Sequence, residues 1–262
     1  VSARVEDVGA ATDPDHSFEI RQDGTLSIEG PGGRSWEVVA LADLPPAVSI
    51  LEDGARTTFD GQMSQPFEAS DDHGVISGTA TFRLDLSRME RRYGLGVEPE
   101  PREAVEVPLP MPVAGNRQDF VEPLIGNFSL HPWANLPVRL ELRVEDASGQ
   151  AALSDPRDIV MPGRRFFDPV AAALIEERQA LLWNRAYAPD AAMILRAILN
   201  RPDDLFRKED QAQSLRDIRD RIETAHAEGM TDTARDEIAQ ALWDLALELE
   251  EGDLDDARER ME

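Results

Sequence analysis

Proline and glycine are distributed very unevenly along this chain of 262 residues. Fifteen of the 18 prolines and 15 of the 17 glycines lie in residues 1–163, which leaves three prolines and two glycines for the last 99 residues. Because these residues punctuate short strands and turns but are unfavourable inside helices, the first part is predicted to be β and the second α. The change of class is predicted near Met161-Pro-Gly-Arg-Arg165.

Two segments alternate apolar and polar side chains with a period of two, the pattern of a half-buried strand. In residues 78–86 the alternate positions from Ala80 to Leu86 are apolar, and in residues 137–145 the same holds from Val138 to Val144. Weaker strand candidates lie at residues 18–20, 25–28, 35–41, 47–51, 105–109, 120–124, 127–130 and 157–160. Many short strands with turns between them predict antiparallel sheets packed as an immunoglobulin-like β-sandwich.

The β part is predicted to hold one nearly complete domain and a fragment of another. Pro45-Pro46 is expected to be a stiff join, so that the immunoglobulin-like sandwich spans residues 43–163. Residues 1–42 are too few for such a sandwich, and we expect them to be the end of a preceding immunoglobulin-like domain with further strands upstream. Residues 94–106, rich in proline, glycine and glutamate, are predicted to form a long mobile loop.

The second part is predicted to be a helical domain over residues 164–262. Asp168-Pro169 has the oxygen acceptor and the proline typical of a helix start, and this first helix is expected to reach residue 184. A second helix is predicted from Pro189 and a third over residues 207–225. Narrow apolar stripes and acidic outer faces favour a small acidic helical bundle, with an array of paired helices as an alternative.

The end of the sequence is predicted to hold two more helices. Thr233-Ala-Arg-Asp236 resembles a capping box, and the fourth helix should follow it. Gly252 is expected to end that helix, and Asp253 to begin a fifth that is truncated at the C-terminus.

Composition excludes several classes of protein. Fifty-two acidic against 27 basic residues give a formal net charge of −25, which repels phosphate polyanions, so nucleic acid is a poor partner. The absence of cysteine excludes disulfides, thiolate metal sites and a cysteine nucleophile. The purely apolar run at residues 169–175 is far shorter than the roughly 18 residues that a membrane span needs.

The sequence shows no catalytic motif. The four histidines are scattered, and no Gly-x-Ser-x-Gly, phosphate-binding Gly-rich loop or dinucleotide fingerprint is present. Gly94-Leu-Gly96 is a lone glycine pair that turn chemistry explains better than phosphate binding. We therefore predict no catalytic residue, no cofactor and no enzymatic activity.

Asp71-Asp72-His73-Gly74 is the most conspicuous polar cluster in the chain. Asp71 and Asp72 could bind calcium together with acids from elsewhere, namely Asp13, Asp15, Asp53 and Asp119. The favoured interpretation is a turn in which an aspartate accepts from its own backbone and the glycine has a positive φ.

Two further features have alternative interpretations. The acidic run at residues 248–256 is interpreted as a solvated face, with docking of a basic partner helix as the alternative. The four tryptophans are interpreted as core anchors rather than as a sugar-binding platform.

Five segments of the chain are distinctive: Pro45-Pro-Ala-Val-Ser-Ile50, Ala69-Ser-Asp-Asp-His-Gly-Val75, residues 144–150, residues 161–181 and residues 242–254. Together they resemble a family of long alphaproteobacterial membrane proteins of unknown function. In that family two or three membrane helices precede this region, and further acidic helices and a Gln- and Gly-rich tail follow it. The resemblance implies a location on the periplasmic side of the cytoplasmic membrane. His73 stands where the family commonly has an aromatic residue, which argues against a special role for that histidine.

Three functions are compatible with these observations. The favoured one is a non-enzymatic interaction or scaffold region of a membrane-anchored envelope protein, which binds a protein partner or self-associates. The alternative is a module that binds a divalent cation or a cationic ligand through Asp71 and Asp72. The third is an envelope hydrolase whose carboxylates the sequence does not identify.

Overall fold

The computed structural model describes residues 22–28, 30–113 and 117–259, the last seven of them, 253–259, by their backbone alone. The chain divides into two compact units, residues 1–44 and residues 45–262. The strand candidate at residues 18–20 and the acids Asp13 and Asp15 lie outside the described residues.

The first unit contains an antiparallel hairpin of β1 (Gly24–Ser27) and β2 (Ser35–Val38). The hydroxyls of Ser27 and Ser35 lie 3.0 Å apart across the pair, and Asp23 Oδ1 accepts from the backbone N–H of Ala40 at 2.8 Å. Trp36 is 43% exposed and Leu41 is 88% exposed. A two-stranded hairpin with uncovered apolar side chains fits the expectation of an incomplete β unit, which stays a prediction.

Within the residues that the structure describes, the second unit begins with nine antiparallel strands. They are β3 (Ala47–Ile50), β4 (Arg56–Thr57), β5 (Gln62–Ser70), β6 (Val75–Leu84), β7 (Val105–Pro108), β8 (Asp119–Asn127), β9 (Pro137–Asp146), β10 (Ala151–Leu153) and β11 (Arg157–Val160). In one sheet β5 pairs with β8 along one edge and with β3 and β4 along the other. In the second sheet the order is β7, β6, β9, and both β10 and β11 pair with the free edge of β9.

The connections from β5 to β6, from β7 to β8 and from β8 to β9 pass from one sheet to the other. This is the arrangement of an immunoglobulin-like sandwich, and the predicted fold class is confirmed. The predicted inward face of β9 is confirmed, because Val138, Leu140, Leu142 and Val144 are at most 1% exposed. In β6 the prediction holds for Ala80 and Phe82 but is wrong for Leu86, which lies past the end of the strand and is 40% exposed.

Strand β5 is central to its sheet but was not predicted, and its sequence explains why. Pro66 lies in its middle, where a ladder hydrogen bond is usually needed, and the inward-facing Gln65 is polar. Pro66 lies directly opposite Pro123 of β8. Two prolines can face each other only at a non-hydrogen-bonded position, where neither strand needs its missing N–H for the other. The Gln65 side chain donates to the Leu51 carbonyl at 2.7 Å and is satisfied locally.

Five helices follow the sandwich within the described residues. They are α1 (Pro169–Trp183), α2 (Ala188–Ile198), α3 (Pro202–Leu205), α4 (Glu209–Glu228) and α5 (Asp232–Glu259). The predicted cap of α1 is confirmed, since Asp168 Oδ1 accepts from the N–H groups of Val170 and Ala171 at 2.8 Å each.

Two predictions about the last helix are wrong. Thr231, not Thr233, caps α5, through a 3.1 Å bond from the Ala234 N–H to the threonine hydroxyl. Helix α5 also continues through Gly252, so no separate helix begins at Asp253. A single glycine in a helix costs about 1 kcal/mol, which the packing of a long helix offsets.

The second unit has a sandwich core and a helical core, and α1 contributes to both. Leu174 and Leu181 of α1 pack in the helical cluster, whereas Trp183 at its end packs in the sandwich cluster. No helix in the described part of the chain is long and apolar enough to cross a membrane.

Candidate functional site

The β6–β7 loop, residues 85–104, connects two strands of one sheet and crosses the end of α1. Asp85 caps a short 3₁₀ turn at Leu86–Arg88, and a second 3₁₀ turn follows at Tyr93–Leu95. The Ser87 hydroxyl and amide hydrogen bonds lower the pKa of Asp85, against the opposing effect of desolvation. Most of the region predicted to be a mobile loop, residues 94–106, lies in this segment, where hydrogen bonds connect it to the helices, and its last two residues belong to β7.

Tyr93 has the most unusual backbone in this loop. Its φ is 47°, in the left-handed region that non-glycine residues seldom adopt, and its side chain is 93% exposed. The next residue, Gly94, is buried, and a Cβ there would lie 2.2 Å from Cβ of Ala180 and 3.2 Å from the Tyr187 ring. The 3₁₀ turn therefore lies directly on α1, and this close approach holds Tyr93 pointing outward.

The loop is then bonded along the C-terminal end of α1. The Trp183 indole N–H donates to the Val97 carbonyl at 2.8 Å, and the Asn184 amide donates to the Glu98 carbonyl at 2.9 Å. The Glu100 N–H in turn donates to the Trp183 carbonyl at 2.8 Å. These three bonds link the loop backbone to the last turn of the helix.

Glu100 is the centre of an ion-pair cluster that joins the loop to two parts of the helical region. Arg185 donates to both oxygens of Glu100, at 2.7 and 2.9 Å, and Arg235 of α5 donates to Oε2 at 2.7 Å. Asp232 lies 2.6 Å from Arg185 and 3.2 Å from Arg235. Hydrogen bonding from Arg185 lowers the pKa of Glu100 to about 2, with the charge of Arg235 adding to it against desolvation.

A cleft of about 340 Å³ lies at the foot of this loop. Its lining residues are Arg83, Leu84, Leu86, Pro99, Glu100, Pro101, Arg102, Ala104 and Trp133. Burial and the neighbouring Arg235 lower the pKa of Arg102. Trp133 is buried and packs edge-on against His131, with 4.9 Å between ring centroids.

His131 lies beside this cleft in a neutral state. Its Nδ1 accepts from the Trp133 N–H at 3.1 Å, which requires an unprotonated nitrogen there. Burial lowers the pKa of His131 to about 4, and the charges of Arg102 and Arg178 act in the same direction. Arg178 is buried, donates to the carbonyls of Ala239 and Leu130, and lies 5.3 Å from the Trp243 ring centroid.

The structure places the predicted cation ligands Asp71 and Asp72 in the turn between β5 and β6. Asp71 Oδ2 accepts from the N–H groups of His73 and Gly74 at 2.9 and 2.6 Å, and Gly74 has a φ of 104°. Asp72 lies 3.2 Å from His73 Nδ1. The favoured turn geometry is therefore observed.

The distant acids do not complete a cation site in this unit. Among the described side chains of residues 45–252, no three carboxylate or imidazole groups bring ligand atoms within 4.8 Å of one another. Cation binding through Asp71 and Asp72 stays a prediction.

The acidic run is not purely a solvated face. Glu250 is 3% exposed, and its Oε2 accepts from the backbone N–H groups of Phe167 and Asp168 at 2.8 and 2.9 Å. Glu250 therefore bonds α5 to the segment that enters α1. Trp133, Trp183 and Trp243 are buried, as expected of core anchors, whereas Trp36 is partly exposed.

Sequence reasoning missed Tyr93, Glu100 and Arg102. The Gly94-Leu-Gly96 pair did point to this loop and was correctly interpreted as a turn, but its contact with α1 has no local signature. The partners of Glu100 are 85 and 135 residues away along the chain. One sequence and no alignment give no signal for such pairs.

A comparison with curated proteins finds no match to this chain. A family model, however, matches residues 2–262, nearly the whole sequence. The chain therefore belongs to the family described as Domain of unknown function (DUF4175).

Proposed function

We propose that this chain is a non-enzymatic interaction region of a membrane-anchored bacterial envelope protein, and that it contacts its partner through the β6–β7 loop. The alphaproteobacterial origin, the membrane anchor and the periplasmic location belong to this proposal and rest on the resemblance of the sequence segments. The partner is a protein, either another envelope component or a second copy of this chain.

The observation that carries the proposal is the presentation of Tyr93. Strained backbone conformations persist where the surrounding structure holds them, and they concentrate at functional positions. Tyrosine is enriched among residues that dominate binding energy, because it offers a large, rigid and amphipathic surface. An outward tyrosine on a loop bonded to a helix loses little further freedom on binding.

The charge of the loop supports a contact role. The loop, residues 85–104, carries four arginines and five carboxylates, a formal charge of −1, whereas the whole chain carries −25. Leu86 and Val97 are also exposed, at 40% and 47%. Interfaces are rich in tyrosine and arginine, and this loop supplies both.

A non-catalytic role is supported by the structural contacts of the titratable groups whose pKa values are shifted. Glu100 is bound by two arginines, His131 accepts a backbone N–H, and Glu177 is buried against Tyr187. Hydrogen bonding from Arg185 lowers the pKa of Glu100, whereas burial lowers the pKa of His131 and raises that of Glu177, so none of the three shifts requires a substrate.

Site-specific photo-crosslinking tests the contact surface. A benzoylphenylalanine at position 93 of the full-length protein, in its native membrane, is expected to give a discrete adduct. The same probe at Met193 of α2, which is 59% exposed, is the matched control and should give none. An adduct of twice the protein mass would identify the partner as a second copy. No adduct at position 93, or the same adducts at both positions, would contradict the proposal.

Protease accessibility tests the location separately. If the region is periplasmic, added protease should degrade it in spheroplasts but not in intact cells. Degradation only after the cytoplasmic membrane is lysed would place the region in the cytoplasm and would overturn the envelope assignment.

A further inference from the structure

The cleft at the foot of the β6–β7 loop has apolar walls and a basic lining. Leu84, Leu86, Pro99, Pro101 and Trp133 supply the apolar surface, and Arg83 and Arg102 supply the positive charge. Small-molecule and peptide pockets commonly combine a mostly apolar wall with a few fixed polar groups in this way.

The one acid that lines the cleft is already neutralised. Both oxygens of Glu100 accept from Arg185, and Oε2 also accepts from Arg235. Arg185 also donates its backbone N–H to Oε1 at 2.9 Å. Glu100 is therefore hydrogen-bonded to two other arginines, and it acts on Arg102 only through its charge, together with Asp236 and Asp232.

The two arginines of the cleft are only weakly bonded to other groups of the protein and can therefore bind a ligand. Within the described residues, no carboxylate lies within 4.0 Å of the Arg102 guanidinium, whose hydrogen bond is a long one of 3.5 Å to the Leu182 carbonyl. Arg83 has a loose pair with Glu141 at 3.7 Å, and its side chain is 59% exposed. A guanidinium without a carboxylate partner in a strongly acidic protein is a specific attachment point for an anion.

We propose that this cleft binds an acidic peptide segment, with a carboxylate on Arg102 and Arg83 and an adjacent apolar side chain against Leu84, Leu86 and Trp133. Charge complementarity selects the carboxylate, and the proline and leucine walls select the apolar neighbour. That the ligand is a peptide rests on the proposed interaction function, whereas the pairing of anionic and apolar chemistry rests on the cleft alone.

The experiment compares two probes that differ only in charge, N-acetylphenylalanine and N-acetylphenylalaninamide, binding to the 262-residue chain. Binding is followed by the NMR signal of the Trp133 indole, assigned with the Trp133→Phe variant. The acid should shift this signal in a saturable way, and the amide should bind at least about tenfold more weakly, the ratio expected for one charge-assisted contact.

Two variants test the arginine. Arg102→Gln should weaken binding of the acid by about tenfold, whereas Arg92→Gln, an exposed arginine of the same loop that does not line the cleft, should leave it within about twofold. Inorganic phosphate is a third probe. Displacement of N-acetylphenylalanine by low millimolar phosphate would show a general anion site and would overturn the peptide assignment.

The outcomes separate this inference from the proposed function. Equal binding of acid and amide, no binding of either, or an unchanged affinity in Arg102→Gln would overturn the cleft assignment, even if position 93 crosslinks to a partner. Selective binding of the acid without any adduct from position 93 would support the cleft chemistry and contradict the proposed contact surface.

Discussion

Strand β6 has two polar connections at its ends, and they are stabilised in opposite ways. The turn before it, residues 71–74, is held largely by its own bonds, since Asp71 Oδ2 accepts from the N–H groups of His73 and Gly74, and Gln118, just before β8, adds bonds to Asp71 and Asp72. The loop after it, residues 85–104, depends on distant residues, with Gly94 on Ala180 and Glu100 on Arg185 and Arg235. A connection whose bonds are local can change without disturbing the fold, whereas one bonded to the helices joins the two halves of the unit.

The largest expected effect is at Gly94. A Cβ there would be 2.2 Å from Cβ of Ala180, so Gly94→Val should force the loop off α1 and destabilise the unit by about 3 kcal/mol. Urea unfolding measures this. The control is Gly149→Ala in the β9–β10 turn, where nothing lies within 4 Å of an added Cβ and only the positive φ of 88° is strained, a loss of about 1 kcal/mol. Equal losses in both variants would show that the loop does not lie on α1 as described.

Glu100→Gln should be next in size. It leaves Arg185 and Arg235 without the carboxylate they share, and the expected loss is about 2 kcal/mol at neutral pH, moderated by the partial exposure of the cluster. Because the pKa of Glu100 is lowered to about 2 in the folded state, its contribution is present above its ordinary pKa and is lost as the pH falls toward 2. Unfolding free energies of the two proteins should therefore converge between about pH 4.5 and pH 2. A difference that does not depend on pH in this range would rule out the ionic contribution.

The contribution of Glu177, on the helix under the loop, to stability should depend on pH near neutrality. Glu177 of α1 is buried and hydrogen-bonded to Tyr187, whose ring lies against Gly94. The charges of Glu176 and Asp190 raise the pKa of Glu177, as burial does. Burial raises the pKa of Glu177 to about 7, so the folded state favours the protonated carboxyl and loses this advantage as the pH rises through 7. Glu177→Gln should stabilise the protein by about 1–2 kcal/mol at pH 8 and have little effect at pH 4, below the ordinary pKa of the carboxyl. Thermal unfolding at the two pH values checks this, and Glu176→Gln on the same helix is the control.

The turn before β6 should give a smaller effect. Asp71→Ala removes an acceptor of two backbone N–H groups and should cost about 1 kcal/mol, independent of calcium. The cation hypothesis predicts instead that calcium raises the unfolding temperature of the wild-type chain and that Asp71→Ala removes this increase. Melting curves with calcium and with a chelator decide between the two.

The accuracy of the sequence predictions depends on the same difference between local and distant contacts. The turn at residues 71–74, the cap of α1 at Asp168 and the alternation of β9 were predicted correctly, because each depends on residues close together in sequence. Strand β5 was not predicted, since Pro66 and Gln65 violate local strand preferences and are accommodated only by Pro123 opposite and by the Leu51 carbonyl.

The candidate site could not be assembled from sequence for the same physical reason. Glu100 is one of many exposed-looking glutamates in a polar loop until the fold brings Arg185 and Arg235 to it. The run of α5 through Gly252 was likewise missed, because Glu250 and Leu249 are held by distant residues that override the local tendency of glycine to end a helix.

Substitution of Tyr93 should have the smallest effect on the free energy of unfolding, and it should change partner binding without a loss of stability. Its side chain is 93% exposed, so its removal takes no packing from the core, and Tyr93→Gly also relieves the left-handed φ of 47° by up to about 1 kcal/mol. We therefore expect Tyr93→Gly to be equally or slightly more stable in urea and to bind the partner found by crosslinking at least about tenfold more weakly. Tyr93→Phe, which keeps the ring and the strain, is the matched control and should retain both properties. Under the proposed function, a tyrosine that destabilises its own loop and takes no part in the core is explained by contact with another molecule, and full binding by Tyr93→Gly would remove that explanation.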